Sequence, residues 1–298
     1  MQYRTLGSTG LRVSVVGVGT WQMGGEWAMS FTQGDADAIL AAAADCGINL
    51  IDTAECYGDH LAERLVGQAI ATRGDRGQWV IATKFGHQFH EPFKRTEPRR
   101  PDDILQQLDN SLAALRTDYV DLWQYHSWGD GQFFDDDVHA AALRAKDAGK
   151  VRHLGNSISS NVNVKQVEAS AKMRIEAIQL IYNRLDRNPE STTLPVCKAQ
   201  NLGVLARVPL ASGFLSGKYK PGDSFPDSDV REKWMKQDRD AKLEQVQQIM
   251  RDEVPAGTDM AAWALAWCLR DPVVTCVIPG CKSAKQVKSN ASAADLLQ

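Results

Sequence analysis

Short apolar and β-branched runs alternate with longer helical stretches along the whole chain. Read by periodicity and by start and stop signals, the runs predict strands at 13–18, 48–52, 79–84, 119–126, 151–157, 176–181, 203–208 and 273–278. Between them, helices are predicted at 35–46, 61–72, 101–116, 136–148, 164–172, 191–200, 238–252, 258–270 and 284–296. Asp35 and Asp37 sit in the first turn of the first helix, and Gly47 stops it. Pro101 suits a first helical turn. A turn at Gly7-Ser8-Thr9-Gly10 precedes the first strand. The strands are apolar nearly throughout, as strands covered on both faces are. This gives eight strand–helix units, with extra helical material between the seventh and eighth strands. The fold expected is α/β: a (β/α)8 TIM barrel, one domain over residues 1–298. An open doubly wound sheet fits less well, because no G-x-G-x-x-G joins the first strand to its helix. The irregular pieces at 20–34, 85–100, 127–135 and 209–237 all follow strands, so in a barrel they share the C-terminal rim, where such folds place their sites.

Composition narrows the partners. The net charge of −3 over 298 residues gives nucleic acid or an anionic membrane no electrostatic handle. No apolar run reaches the roughly 18–20 residues that cross a bilayer, and the N-terminus lacks the apolar core of a signal peptide. The six cysteines form no CxxC pair and no close Cys/His cluster. Reduced thiols in a cytoplasmic enzyme are therefore expected, and no metal site. Oligomeric state is not readable.

Three predicted strands end on ionisable residues: 48–52 on Asp52, 79–84 on Lys84 and 119–126 on His126. Tyr57 follows the first in Asp52-Thr53-Ala54-Glu55-Cys56-Tyr57-Gly58. Each alone has an ordinary structural reading. Together, on parallel strands of one barrel, an acid, an amine, an imidazole and a phenol would converge. Asp52 is the natural partner for Lys84, since a buried unpaired ammonium is costly. The ammonium would lower the pKa of the phenol, and the imidazole would hydrogen-bond a substrate carbonyl oxygen. No nucleophilic triad accompanies them, so a cofactor hydride is the nucleophile that fits. His87 and His90 lack a third metal ligand.

Further stretches fix a family resemblance. They are Gly17-Val18-Gly19-Thr20-Trp21, Ala82-Thr83-Lys84, residues 117–126, residues 148–155, residues 179–183, residues 209–219 and Ile278-Pro279-Gly280-Cys281-Lys282-Ser283. With the Asp52–Gly58 stretch, their order and spacing resemble the aldo-keto reductases over essentially the whole chain. The resemblance implies NADPH (preferred to NADH) bound in extended form, and Asp52, Tyr57, Lys84 and His126 as the catalytic set with Tyr57 as general acid. It implies cofactor contacts from Gly19, Thr20, Trp21, Asp52 and Arg207. It also implies that Ser157 and Gln179 hold the nicotinamide amide. Pro209, Leu210, Ser212, Gly217 and Lys218 would wrap the pyrophosphate. Gly280, Lys282, Ser283, Gln286 and Asn290 would hold the adenosine phosphate. Three positions depart from the family pattern: Ile158 stands where an asparagine is common, Arg207 where an aromatic stacks, and Ser289 where a glutamate is common.

The rim is rich in aromatics, including Trp21, Trp27, Phe89, Trp128, Phe133 and Trp234. Trp21, Trp27 and Trp128 join Tyr57 and His126 as expected substrate contacts. Lys94, Arg95, Arg99 and Arg100 in the 85–100 loop read as a solvated basic patch, with attraction of an anionic substrate group as the alternative. The function expected is NADPH-dependent reduction of an aldehyde, ketone or sugar carbonyl. The alternatives are an NAD(P)-dependent sugar or alcohol dehydrogenase, a cofactor-sensing subunit of a larger assembly, and an aldolase using Lys84 as a Schiff base.

Overall fold

Eight parallel strands form one sheet in chain order: β1 (Val18–Gly19), β2 (Leu50–Asp52), β3 (Val80–Phe85), β4 (Val120–His126), β5 (Val151–Ser157), β6 (Ile175–Ile181), β7 (Gly203–Arg207) and β8 (Cys276–Val277). The structure, a computed structural model, describes residues 1–98, 100–234 and 237–297. Arg99 and the Trp234 side chain, named above on the rim, lie outside the described residues. The sheet closes on itself. Gly17 N donates to Val277 O at 2.8 Å, Val277 N to Val15 O at 2.9 Å and Gly19 N to Pro279 O at 2.9 Å. A Cβ on Gly19 would lie 2.8 Å from Ile278 O, so this seam requires a glycine. Helices α1 (Gln33–Asp45), α2 (Leu61–Arg73), α3 (Pro101–Leu115), α4 (Asp136–Asp147), α5 (Val164–Glu168), α6 (Thr193–Ala199), α7 (Met260–Leu269) and α8 (Ala284–Ala291) follow the strands in turn. The fold is a (β/α)8 barrel. Thr32 and Asp35 form a capping box at α1, and Pro101 opens α3.

Strand alternation places the site. Leu50, Val80, Ala82, Leu122, Ala177, Leu205 and Cys276 pack together inside the barrel. Two residues beyond Leu50, Ala82, Leu122, Ala177 and Leu205, the same inward face carries Asp52, Lys84, Gln124, Gln179 and Arg207, while Ile278 keeps β8 apolar. The barrel is thus apolar at its lower layers and polar at the C-terminal mouth.

The expected first strand, 13–18, divides in two. Arg12–Ser14 pairs antiparallel with Tyr3–Thr5, and Val18–Gly19 enters the barrel. This hairpin delivers Leu6, fully buried, against Gly203 and into the interior cluster, sealing the base. The last strand is shorter than the expected 273–278, because Asp271 turns the chain. Its Oδ1 accepts from Val273 N and its carbonyl from Val274 N. The 85–100 loop contains an unexpected hairpin, Gln88–Glu91 with Lys94–Thr96. The extra helical material is Val230–Trp234 and Arg239–Asp252; Leu243 and Val246 of the latter pack on Phe214, Leu215 and Trp263.

Candidate active site

At the mouth, Lys84 Nζ donates to Asp52 Oδ1 and to Thr53 O, both at 2.7 Å, and lies 3.3 Å from Tyr57 Oη. Lys84 and Asp52 are 1% and 4% exposed, so this ion pair is screened from water. The second Asp52 oxygen accepts from Gln179 Nε2 at 2.7 Å and Gln124 Nε2 at 3.4 Å. His126 stands with its ring edge-on to Tyr57, centroids 6.0 Å apart, and its Nδ1 is 3.7 Å from Cys56 Sγ. Trp21 stacks along Tyr57 at 6.3 Å. Tyr57 comes from the loop after β2, and that loop packs tightly on the β1 loop. A Cβ on Gly24 would lie 2.7 Å from Tyr57 backbone carbon.

Burial governs the electrostatics. It raises Tyr57 to about 12, although the Lys84 charge pulls the other way. The lowered phenol expected from the sequence is therefore reversed, and Tyr57 is a protonated phenol at neutral pH. Burial also works against the charge on Lys84, but Asp52 and Tyr57 outweigh it and hold the ammonium above its ordinary range. His126 is pushed well below 6.5 by burial, with His87 and Lys84 adding to it, so its imidazole is neutral. His87 falls to about 4 by burial and the Arg95 charge.

Glu55, part of the Asp52–Gly58 motif but given no role in the sequence reading, is 3% exposed. Its Oε1 accepts from His87 N at 2.9 Å, and its Oε2 is buried without a partner. Burial raises it to about 8. A folded-state pKa above the unfolded value stabilises the fold at low pH, and that contribution drains away as pH rises from about 4.5 through 8. Thermal stability of the wild type is expected to fall over this window relative to Glu55→Gln. Melting curves at pH 5 and 8 measure it, and parallel pH dependences in the two proteins would exclude a protonated Glu55.

A continuous cleft of about 400 Å³ runs from this corner to α8. Gly19, Thr20, Trp21, Asp52, Tyr57 and His126 line one end; Ser157, Gln179, Arg207, Pro209 and Leu210 follow; Ser212, Lys218, Gly280, Lys282, Gln286 and Asn290 line the other. Ser157 Oγ donates to Gln179 Oε1 at 3.3 Å, while Asn156 turns away to Gln166. Arg207 Nη2 donates to Ile158 O at 3.1 Å, so two of the departures from the family pattern touch each other. Val208, Ala211 and Ser212 hold φ of 54°, 46° and 59°, a left-handed run of non-glycine residues beside the cleft.

Some expected contacts lie elsewhere. Trp128 is 1% exposed, donates Nε1–H to Gly86 O at 2.8 Å and packs on Phe85 and Tyr125; it belongs to the core behind the site. Ser283 and Gly217 are not cleft-lining. The Ser283 hydroxyl accepts from Gln286 N at the α8 cap, and Gly217, φ 72°, ends the 211–216 turn. Lys84 sits behind Asp52 and Tyr57 rather than in the wall. Trp27 does line the cleft; its ring is edge-on to Trp21 at 5.1 Å on one side and lies 5.6 and 5.8 Å from Arg231 and Lys282 on the other.

The far end suits an anion. Lys218, Arg231 and Lys282 crowd together, and burial, then Arg231, lower the Lys282 pKa while Asp229 counters. Asp229 is already chelated by Arg231, through Nε at 2.8 Å and Nη2 at 2.7 Å. With Asp229 taken up by Arg231, the Lys218 and Lys282 charges beside a helix N-terminus suit a phosphate. Arg231 and Asp229 were not singled out in the sequence, because nothing local marks a residue of the 209–237 loop as folding back over the cleft. A Cβ on Gly280 would strike the Gln22 side chain, leaving backbone at the cleft surface.

The chain belongs to the aldo/keto reductase family, whose model matches residues 15–298. It is 30% identical over 296 residues to aldo-keto reductase YhdN of Bacillus subtilis, covering 97% of this chain and 87% of that one. It is 30% identical to aldo-keto reductase yakc [NADP(+)] of Schizosaccharomyces pombe, covering 86% of this chain and 76% of the relative. Among solved structures, aldo-keto reductase AKR11C1 from Bacillus halodurans (holo form) superposes with a TM-score of 0.82 at 29% identity, covering 99% of this chain and 91% of the other. No helix among the described residues is long and apolar enough to cross a membrane.

Proposed function

We propose that this chain is an NADPH-dependent reductase of aldehyde, ketone or sugar carbonyls, with binding and catalysis in one barrel over residues 1–298. The observation that carries the reading is the Lys84 ammonium set between Asp52 and Tyr57, opening onto a cleft that ends in a cationic cluster. NADPH, when bound, supplies the hydride for the carbonyl carbon. Tyr57 gives its phenolic proton to the carbonyl oxygen, Lys84 stabilises the phenolate left behind, and Asp52 keeps Lys84 charged and aimed. With Nδ1 turned to Cys56, His126 has Nε2 for the substrate oxygen, and its neutral state suits a hydrogen-bond donor that keeps its proton. Ser157, Gln179 and Arg207 hold the nicotinamide end, and Lys218, Arg231 and Lys282 the phosphates. A charged, triply hydrogen-bonded Lys84 is the wrong form for a Schiff base, which argues against an aldolase. Free cysteines throughout accord with a cytoplasmic setting.

The first test is fluorescence titration with NADPH and NADH, followed by NADPH oxidation over a panel of aldehydes and ketones. Lys282→Met is expected to weaken NADPH about 10- to 100-fold, the value of a charge-assisted phosphate contact, and to leave NADH nearly untouched. Equal losses for both cofactors would remove Lys282 from the 2′-phosphate.

A further inference from the structure

We infer that the carbonyl substrate carries a carboxylate, held by Arg95 at the rim beside Tyr57 and His126; this rests on the reductase reading and names its substrate class. Among the described basic residues of the β3–α3 loop, Arg95 is the one that lines the cleft. The unexpected hairpin explains why. Arg95 is paired across it with Phe89, and both are half-buried. Alternation sends the neighbouring Lys94 to the opposite face, where it pairs with Glu91 in solvent. Arg100 is exposed.

Arg95 is only partly satisfied by the protein. Its Nη2 donates to Glu26 Oε2 at 2.6 Å, and its Nε–H is buried with no partner. Glu26 is shared: the same oxygen accepts from Trp21 Nε1 at 2.8 Å, and Oε1 accepts from Phe93 N at 2.8 Å. One carboxylate with three donors balances the charge of Arg95 but leaves its guanidinium with surplus donors. That charge is felt across the site, since it helps, after burial, to hold His87 and His126 neutral. Of the nearby acids among the described residues, Glu26 alone opposes it. Asp52 is paired with Lys84, and Glu55 is protonated at neutral pH. An anionic group on the substrate would take up guanidinium donors that Glu26 leaves over and fix the carbonyl relative to Tyr57, while a neutral analogue accepts from them more weakly.

The test compares kcat/KM for 4-carboxybenzaldehyde and methyl 4-formylbenzoate. These are alike in size at the carbonyl, and the ester is the more electrophilic, so the bias runs against the proposal. The wild type is expected to prefer the acid about 10- to 100-fold. Arg95→Gln should bring the ratio to one or below, and Arg95→Lys should retain part of it. Because losing Arg95 disturbs the Glu26 network, a second measurement avoids turnover altogether: binding of benzoate against benzamide, with and without NADP+. Wild type should favour benzoate and Arg95→Gln should not. Turnover of neither aldehyde sinks the reductase reading, and the anion site is then decided by the benzoate pair. Benzoate bound no more tightly than benzamide, or a preference unchanged in Arg95→Gln, overturns the anion site itself.

Discussion

Tyr57→Phe is expected to lower kcat by about 100- to 10,000-fold, the range a positioned general acid supplies, while NADPH binds as in the wild type. The substitution deletes one oxygen and keeps the ring. That ring stays stacked on Trp21 and edge-on to His126, so the walls of the site persist. Lys84 loses a 3.3 Å contact and keeps two at 2.7 Å, so its position is maintained. The melting temperature should therefore move little. The phenol is held up to about 12, chiefly by burial, so it remains protonated across the neutral range. Reduction by the wild type should show no decline from Tyr57 ionisation between about pH 6 and 9. The measurement is kcat at saturating carbonyl and NADPH, with a parallel fluorescence titration of the cofactor. Turnover within a few-fold of wild type would take the proton from another source, and the assignment of Tyr57 would fail.

The parts of this site that were legible in the sequence are those governed by strand period. Asp52, Lys84 and His126 each end an apolar run, and inward-facing alternation brings such ends to one rim without any knowledge of contacts. The Lys84–Asp52 pairing followed from the cost of a buried ammonium alone. What escaped depends on balances that no local pattern carries. The phenol pKa turns on burial against one nearby charge, and burial prevails. Trp128 stood in a rim loop yet packs inwards, because Gly86 leaves room for its indole and a carbonyl to receive its N–H. Glu55 lay inside the most informative motif and drew no notice, since a buried acid with an idle oxygen looks in sequence like any loop glutamate. In the sequence Arg95 and Lys94 belong to one basic patch, in which solvation outweighs attraction of an anionic substrate group. The two were separated by a hairpin whose register places neighbours on opposite faces. The extra segment after β7 was anticipated as helical, but the return of Asp229 and Arg231 to the cleft is a tertiary fact.

Lys84→Met is expected to damage both stability and chemistry, and a second substitution separates the two. The lysine is fully buried and paired with a buried Asp52. Removing one partner strands the other charge in a low-dielectric site, at about 3–5 kcal/mol of stability. Gln179 and Gln124 still donate to Asp52 Oδ2, but neutral amides do not replace an ammonium. The turnover loss should reach about 100- to 1,000-fold, as when one preorganised electrostatic group is deleted. Adding Asp52→Asn to Lys84→Met removes the stranded carboxylate. The double variant is expected to recover much of the lost stability, because an uncharged pair owes no desolvation of charge. It should recover none of the turnover, since nothing then stabilises the phenolate that Tyr57 becomes. Denaturation curves and kcat for the two single variants and the double complete the cycle. If turnover returns together with stability, Lys84 only holds the barrel mouth in shape, and its part in the proton transfer is refuted.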